Sequence, residues 1–185
     1  MDIIQAAEEY ARDIYPGKDI FHGWKHVEEV RANVRKLADF FPECDFRNLD
    51  LAAIFHDIDY SDPEFHTANS IRLAEEFLVS MNYEIADIQK VKSIMRAHNT
   101  PESCKKEALL EGQMLYDADK MSRLTPEGFV KSMLYRIMHG KMTIPEAMVD
   151  AKKKTRSIYA SLNFGYSQKM VEEDYNEVKR ILRKI

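Results

Sequence analysis

The stretch Leu49-Asp-Leu-Ala-Ala-Ile-Phe-His56 is apolar on almost every side of the helix that it would form. A helix without a broad polar face is normally a central one, which other elements cover all round. Asp57 follows it directly, so the most buried predicted helix ends at a histidine and a carboxylate. We therefore expect this helix to form the centre of the core, with polar chemistry at its carboxyl end.

Amphipathic helices are predicted on both sides of this central stretch. In each of them apolar residues recur three and four positions apart, which is the spacing of one helix face. Asp62-Pro63 predicts an N-cap for the first helix that follows, and no sustained alternating pattern indicates a strand. The fold class is therefore predicted to be all-α, a single compact multi-helix bundle. The predicted helices cover about 2–14, 22–40, 64–81, 84–98, 109–121 and 167–183, and two more begin at Thr125 and Thr143.

Composition limits the partners of this chain. Its 27 basic and 31 acidic residues give a net charge of -4, whereas binding to nucleic acid needs a concentrated positive face. We therefore expect no nucleic-acid partner, and we expect the basic run 152–156 to be a solvated helix face. No export signal or membrane-length apolar run is visible, which predicts a cytoplasmic protein without a membrane partner. Cys44 and Cys104 lack metal-ligand spacing and are expected to stay reduced.

Several histidines and aspartates lie in phase with the apolar faces of separate helices. His26 flanks an inward face, His56 and Asp57 end the central helix, and Asp119 is turned inward, whereas Asp117 points to another side. A buried carboxylate is costly unless it is paired or binds a metal. Imidazole and carboxylate together suit a divalent first-row ion. These four residues therefore predict a metal site with open positions for water and a phosphate oxygen.

Two further histidines belong to the same group of helices. His66 opens the helix predicted over 64–81, and His98 extends the apolar stripe of the next helix by one step. An inward histidine on an apolar stripe is either a satisfied core residue or a functional one, and for His98 both interpretations stay open.

Three motifs resemble those of the HD superfamily of metal-dependent phosphohydrolases. They are His22-Gly-Trp-Lys-His26-Val, Ala52-Ala-Ile-Phe-His56-Asp57-Ile and Tyr116-Asp-Ala-Asp119-Lys120-Met, in the family's order and with fitting separations. The resemblance covers about residues 15–140. It leaves the C-terminal helices unmatched by any motif. We expect a single HD domain over 1–185, with the helices at 143–185 packed on the core that bears the motifs.

The resemblance implies that four residues bind one divalent ion, commonly manganese, magnesium, iron, cobalt or nickel: His26, His56, Asp57 and Asp119. It also implies hydrolysis of a phosphate ester or anhydride, often in a nucleotide. In some relatives the histidines at the positions of His66 and His98 bind a second metal, and in others they contact phosphate or assist the leaving group. We expect a single ion, with His66 and His98 in catalytic roles.

The expected mechanism is hydrolysis by a metal-activated water, which Asp57 would orient as well as binding the ion. His66 or His98 would stabilise the phosphate or protonate the leaving oxygen, because imidazole titrates near neutral pH. The substrate is expected to be a small phosphorylated molecule, foremost a nucleotide. Lys120 is the first candidate for a substrate-binding cation and His22 is a second candidate for substrate binding; Lys25 and Arg96 are weaker candidates.

Two rival functions fit the same residues. A di-iron oxygenase of the same fold would use all six candidates, and a non-catalytic sensor would keep the metal and bind a nucleotide without turnover. The sequence also departs from many relatives at Asp59, where they have glycine. The additional carboxylate would repel substrate phosphate, cap the following turn or act as an acid.

Overall fold

The computed structural model describes residues 2–15, 23–62, 64–107 and 109–183. These residues form eleven α-helices and no strand, which confirms the all-α fold class. The chain divides into two compact units, Met1–Ala118 and Asp119–Ile185. Across the described ranges, no helix combines the length and the apolar character that crossing a membrane requires. That the whole chain is one domain stays a prediction.

The first unit is built around a fully covered helix. Its helices are α1 Ile3–Ile14, α2 Trp24–Ala38, α3 Phe46–Phe55, α4 His66–Ser80, α5 Ile85–Ala97, α6 Pro101–Glu107 and most of α7 Leu110–Ser122. Every residue of α3 from Asn48 to Phe55 is buried, and α3 contacts α1, α2, α4 and α5. α3 lies at this position because its side chains are apolar all round, so that exposing any side of the helix to water would be unfavourable. Its carboxyl end is therefore held at the centre of the unit.

A buried ion pair joins α3 to two of its neighbours. The guanidinium of Arg31 on α2 donates to both carboxylate oxygens of Asp50, at 2.7 and 2.8 Å. Its remaining nitrogen donates to Glu8 on α1 at 2.7 Å. Two parallel bonds from one guanidinium fix both distance and angle. The network therefore fixes the orientation of α3 relative to α1 and α2.

A second network holds the amino end of α3. The carboxylate of Asp45 accepts the backbone N–H of Asn48 at 3.2 Å, which caps the helix. The backbone N–H of Asp45 donates to Glu111 on α7 at 2.8 Å. Lys90 on α5 lies 3.1 Å from Asp45 and 3.2 Å from Glu111. Both ends of α3 are thus anchored by polar contacts that reach other helices.

The second unit contains the end of α7 and four further helices: α8 Pro126–Met138, α9 Ile144–Ser161, α10 Gly165–Met170 and α11 Glu172–Arg183. Its core contains Phe129, Ala151, Val178 and Leu182. Thr125 caps α8 by accepting the N–H of Gly128 at 3.0 Å, and Glu146 accepts the N–H of Thr143 at 2.8 Å at the start of α9. Both starts lie where the capping residues predict them.

Two boundaries differ from the sequence predictions. Asp62 does not cap α4, because its carboxylate accepts the N–H of Glu64 at 2.9 Å in a local turn and α4 begins later, at His66. The single helix predicted over 167–183 is two helices, which are interrupted at Val171. Each difference arises where a local turn replaces a regular helical turn.

Candidate metal centre

The predicted site residues of the first unit lie at four helix ends. His26 is in the first turn of α2 and His66 is the first residue of α4, whereas His56 and His98 end α3 and α5. These histidines and Asp57 are all buried, none being more than 8% exposed. The partial negative charge at the carboxyl ends of α3 and α5 favours a cation near His56 and His98.

His26, His56 and Asp57 form the first of two groups with the composition of a metal site. Their ligand atoms all lie within 4.8 Å of one another. The Nε2 atoms of His26 and His56 are 3.2 Å apart, and Nε2 of His56 is 3.6 Å from Oδ2 of Asp57. Nδ1 of His56 lies 2.9 Å from the carbonyl oxygen of Ala53, which can only accept. This bond assigns the proton to Nδ1 and leaves the lone pair of Nε2 for a metal.

Asp57, His66 and His98 form the second group. Oδ1 of Asp57 lies 3.4 Å from Nε2 of His98 and 3.7 Å from Nε2 of His66. Nδ1 of His98 is bonded to the carbonyl of Met95, three residues earlier, as Nδ1 of His56 is bonded to its own helix. Asp57 is therefore shared, with one oxygen towards each group.

The first group fits a divalent metal ion. Donors held about 2.1 Å from one ion at tetrahedral angles lie about 3.4 Å from each other, and the distances of 3.2 and 3.6 Å bracket that value. Imidazole nitrogen and carboxylate oxygen are ligands that first-row divalent ions accept. A site with few protein ligands also leaves positions for water and substrate.

Asp119, the predicted fourth ligand, belongs to the second unit. It is fully buried, and its Oδ2 accepts from Lys120 at 2.7 Å and from Arg123 at 3.2 Å. Asp117 is equally buried, because residues 114–122 of α7 are covered on every side. Sequence reasoning separated the two aspartates by direction, but burial does not distinguish them. The role of Asp119 as a ligand stays a prediction.

The predicted substrate-binding residues differ in their surroundings. Lys120 is 8% exposed, and its ammonium is bonded to the neighbouring Asp119. Lys25 and Arg96 are exposed. His22 lies outside the described residues. Lys120 is therefore the one of the three described cations whose charge is held inside the protein.

Two tyrosines near the site were missed by sequence reasoning. Tyr15 is buried; its burial raises the pKa of the phenol well above the ordinary value, and the Asp57 carboxylate raises it further. The ring of Tyr60 packs on His66 with centroids 4.8 Å apart. Tyr15 continues the buried stripe of Ala7 and Ala11 at four-residue spacing, and this signal was present in the sequence.

Asp59 has the local role of a capping residue. Its Oδ1 accepts the backbone N–H of Ser61 at 3.1 Å and also the hydroxyl of Ser61. Its own N–H donates to Ser70 on α4 at 3.1 Å. Of the three roles considered for this carboxylate, these contacts favour capping of the turn between α3 and α4.

Comparisons with known proteins agree with this architecture. The profile of the HD domain family matches residues 23–124. The crystal structure of a protein from Lactobacillus plantarum matches this chain with a TM-score of 0.80 at 19% sequence identity. The match covers 98% of this chain and 94% of the other protein's chain. The crystal structure of Bacillus subtilis YpgQ in complex with ADP matches with a TM-score of 0.74 at 16% sequence identity. That match covers 98% of this chain and 92% of the YpgQ chain.

A third similar structure is described as a predicted HD superfamily hydrolase from an uncultured Thermotogales bacterium. Its TM-score is 0.67 at 19% identity, and the match covers 97% of this chain and 89% of its own. No curated protein sequence matches the chain significantly. At these identities the structural similarity establishes the fold.

Proposed function

Because the chain belongs to the HD domain family, whose members are usually metal-dependent hydrolases, we propose that it cleaves a phosphate ester or anhydride in a small phosphorylated molecule. The observation that carries the proposal is the convergence of His26, His56 and Asp57 on one buried point. Asp119 is the fourth ligand that the motif resemblance implies. The ion is expected to be manganese, magnesium, iron, cobalt or nickel.

The ion, when bound, supplies Lewis acidity, which lowers the pKa of water and withdraws charge from a phosphoryl group. The protein supplies orientation and proton transfer. Oδ1 of Asp57 is the acceptor that would orient the attacking water. The bond to the Met95 carbonyl uses the Nδ1 proton of His98. A second proton on its Nε2, which lies 3.4 Å from Oδ1 of Asp57, is therefore the one that the imidazolium form would donate to the leaving oxygen.

Two helix starts support a phosphorylated substrate. α2 follows Gly23 and α4 follows Phe65, and neither helix has a side-chain cap among the described residues. Uncapped N–H groups in a first helical turn bind phosphate oxygens well. Bacillus subtilis YpgQ was crystallised with ADP, which makes a nucleotide our preferred substrate class. Lys120 is the proposed substrate cation.

The group formed by Asp57, His66 and His98 favours a second candidate function. If it held a second ion, the residues would suit a di-iron oxygenase. Metal content distinguishes the candidates: one ion per chain supports the hydrolase, and two mixed-valence irons support the oxygenase. His66→Ala and His98→Ala sharpen this test, because a catalytic histidine would cost on the order of a hundredfold in turnover while the metal content stays the same.

The proposal is tested by a substrate screen with a matched pair of variants. Nucleotides and other phosphate esters are incubated with each of the five metals, and phosphate and pyrophosphate release is measured. Asp57→Asn should lose at least about a hundredfold in turnover with its helical circular dichroism unchanged. Asp62→Asn, an exposed aspartate of the same connection, should retain activity.

Full activity in Asp57→Asn would contradict the site. Saturable nucleotide binding without turnover under any metal would instead support the non-catalytic sensor.

A further inference from the structure

A small cleft on the second unit is lined mainly by cations. It opens to solvent between α9 and α11, and its lining residues are Lys152, Thr155, Arg156, Lys179, Leu182 and Arg183. The cations come in two pairs, each separated by one helical turn, with Lys152 and Arg156 on α9 and Lys179 and Arg183 on α11. Two positive pairs from adjacent helices therefore face one space.

The charge of this cleft is not balanced by the protein. In the part of the chain that the structure describes, no carboxylate pairs with Lys152, Arg156 or Arg183, whereas Arg136 nearby in sequence pairs with Asp150 at 2.7 Å. Lys179 contacts neutral groups, and its ammonium lies 4.8 Å from the centre of the Tyr175 ring. Like charges one turn apart destabilise a helix. An anion in the cleft would remove that cost for both helices.

Thr155 adds a hydroxyl group to the lining of the cleft. It lies between the two α9 cations, lines the cleft and is only 7% exposed. Within the described ranges no hydrogen bond is formed by its hydroxyl, and the oxygen is not enclosed, so the hydroxyl is accessible to a molecule in the cleft. The hydroxyls of Thr125 and Ser161 do have partners, at 3.0 and 2.9 Å. A hydroxyl donor beside four cations is a suitable set for phosphate oxygens.

We propose that this cleft binds a small phosphate-bearing anion, with the two charges or more of a diphosphate group. Guanidinium and ammonium groups bind phosphate through charge-assisted hydrogen bonds, and two facing pairs match two phosphate groups. Four cations from two helices surround one small space, which favours a compact anion over a polymer. The inference is separate from the proposed hydrolysis, since none of these residues belongs to the metal centre.

The test measures pyrophosphate and ADP binding by calorimetry at constant ionic strength. It uses the full-length Asp57→Asn protein with chelator, so that the metal centre contributes little. Lys179→Gln/Arg183→Gln should weaken saturable pyrophosphate binding on the order of tenfold or more. Lys153→Gln/Lys154→Gln removes equal charge from exposed positions outside the cleft and should leave the affinity unchanged. Tighter binding of ADP would identify a nucleotide as the source of the diphosphate, and equal binding would identify the free anion.

Equal losses in both double variants, or binding that never saturates, would overturn the proposal. So would tighter and steeply salt-dependent binding of a short single-stranded RNA, which would show a nucleic-acid surface. Thr155→Val tests the hydroxyl at nearly constant volume and should weaken binding severalfold, whereas Thr155→Ser should retain it. Thermal unfolding of each variant checks that the helices stay folded.

Discussion

Asp50 and Asp57 lie seven positions apart at the same central helix, are equally buried, and have opposite surroundings. Asp50 is 3% exposed, and Arg31 donates to both of its oxygens at 2.7 and 2.8 Å. Asp57 is 1% exposed, and imidazole nitrogens of His56 and His98 lie 3.6 and 3.4 Å from its oxygens. Burial alone therefore does not identify the functional carboxylate. The kind and distance of its neighbours do.

The two sets of distances have different physical meanings. Contacts of 2.7–2.8 Å are charge-assisted hydrogen bonds, so the pair of Arg31 and Asp50 is complete in itself. Separations of 3.4–3.6 Å are longer than good hydrogen bonds, and the 3.6 Å between His56 and Asp57 suits two donors on one ion. Asp50 thus stabilises the fold, whereas Asp57 is the carboxylate that we propose as a metal ligand.

The largest expected effect comes from breaking the complete pair. Arg31→Met keeps most of the side-chain volume but leaves Asp50 buried without its cation, which should cost about 3–5 kcal/mol in the free energy of unfolding. Urea denaturation measures this loss. Replacing both partners, Arg31→Met with Asp50→Leu, should restore most of it, because no buried charge then remains. A single variant as stable as the wild type would contradict the assigned role of the pair.

The second prediction applies the same logic to Asp57. Asp57→Asn should change the metal-free stability by about 1 kcal/mol or less. It should also abolish the stabilisation by metal, which for the wild type is about 2.7 kcal/mol at a metal concentration of 100 times Kd. Asp50→Asn should behave in the opposite way, with lower stability and a retained response to metal. Thermal unfolding with and without manganese distinguishes the two aspartates.

Part of this arrangement could be predicted from the sequence. The apolar circumference of α3 predicts a central helix, and the capping threonines predict the starts of α8 and α9, since both are local signals. The start of α4 could not be placed, because the bond from Glu64 to Asp62 competes with the helix cap that Asp62-Pro63 suggests. The interruption at Val171 has no Gly or Pro to indicate it.

The residues of the candidate site were also only partly predictable from the sequence. Helix phase indicated His26 and His98 as inward residues, and the structure places their nitrogens in the two groups that share Asp57. Sequence phase alone gave no reason to connect Tyr15 with Asp57, because they belong to different elements of the chain. The run 152–156 is exposed except at Thr155, as a solvated face predicts. The cations of α11 that face this run are distant from it in the sequence, so the sequence alone did not indicate the cleft.

The third prediction concerns the network at the other end of α3. Burial would raise the pKa of Glu111, but the N–H of Asp45 and the Lys90 ammonium hold that pKa below its ordinary value. The resulting stability is present above the unfolded pKa of about 4.3 and is lost as pH falls through the folded pKa. Glu111→Gln should cost about 1 kcal/mol at pH 7 and flatten the acid side of the stability profile.

Glu75→Gln is the control for this network. Glu75 lies 2.6 Å from Lys92 but is 40% exposed, so its ion pair should contribute about 0.5 kcal/mol or less. Equal losses for the Glu111 and Glu75 variants at pH 7 would show that burial of the network adds nothing to its strength.

The last effect is absent at neutral pH and is expected at Tyr15, whose pKa is raised by burial and further by the Asp57 carboxylate. Burial is the larger cause, and both keep the phenol protonated in the folded protein above pH 10, where an unfolded tyrosine ionises. The stability contributed by the retained proton is therefore present below about pH 10 and is lost as pH rises from there through the folded pKa. Tyr15→Phe cannot ionise, so its stability should fall less steeply above pH 10, by at most about 1.4 kcal/mol per pH unit.

The slope is measured from urea denaturation midpoints between pH 8 and pH 11 with chelator present. Tyr166 is half exposed, and Tyr166→Phe is therefore the control. Parallel slopes for wild type and Tyr15→Phe would show that Asp57 and its surroundings do not hold that proton.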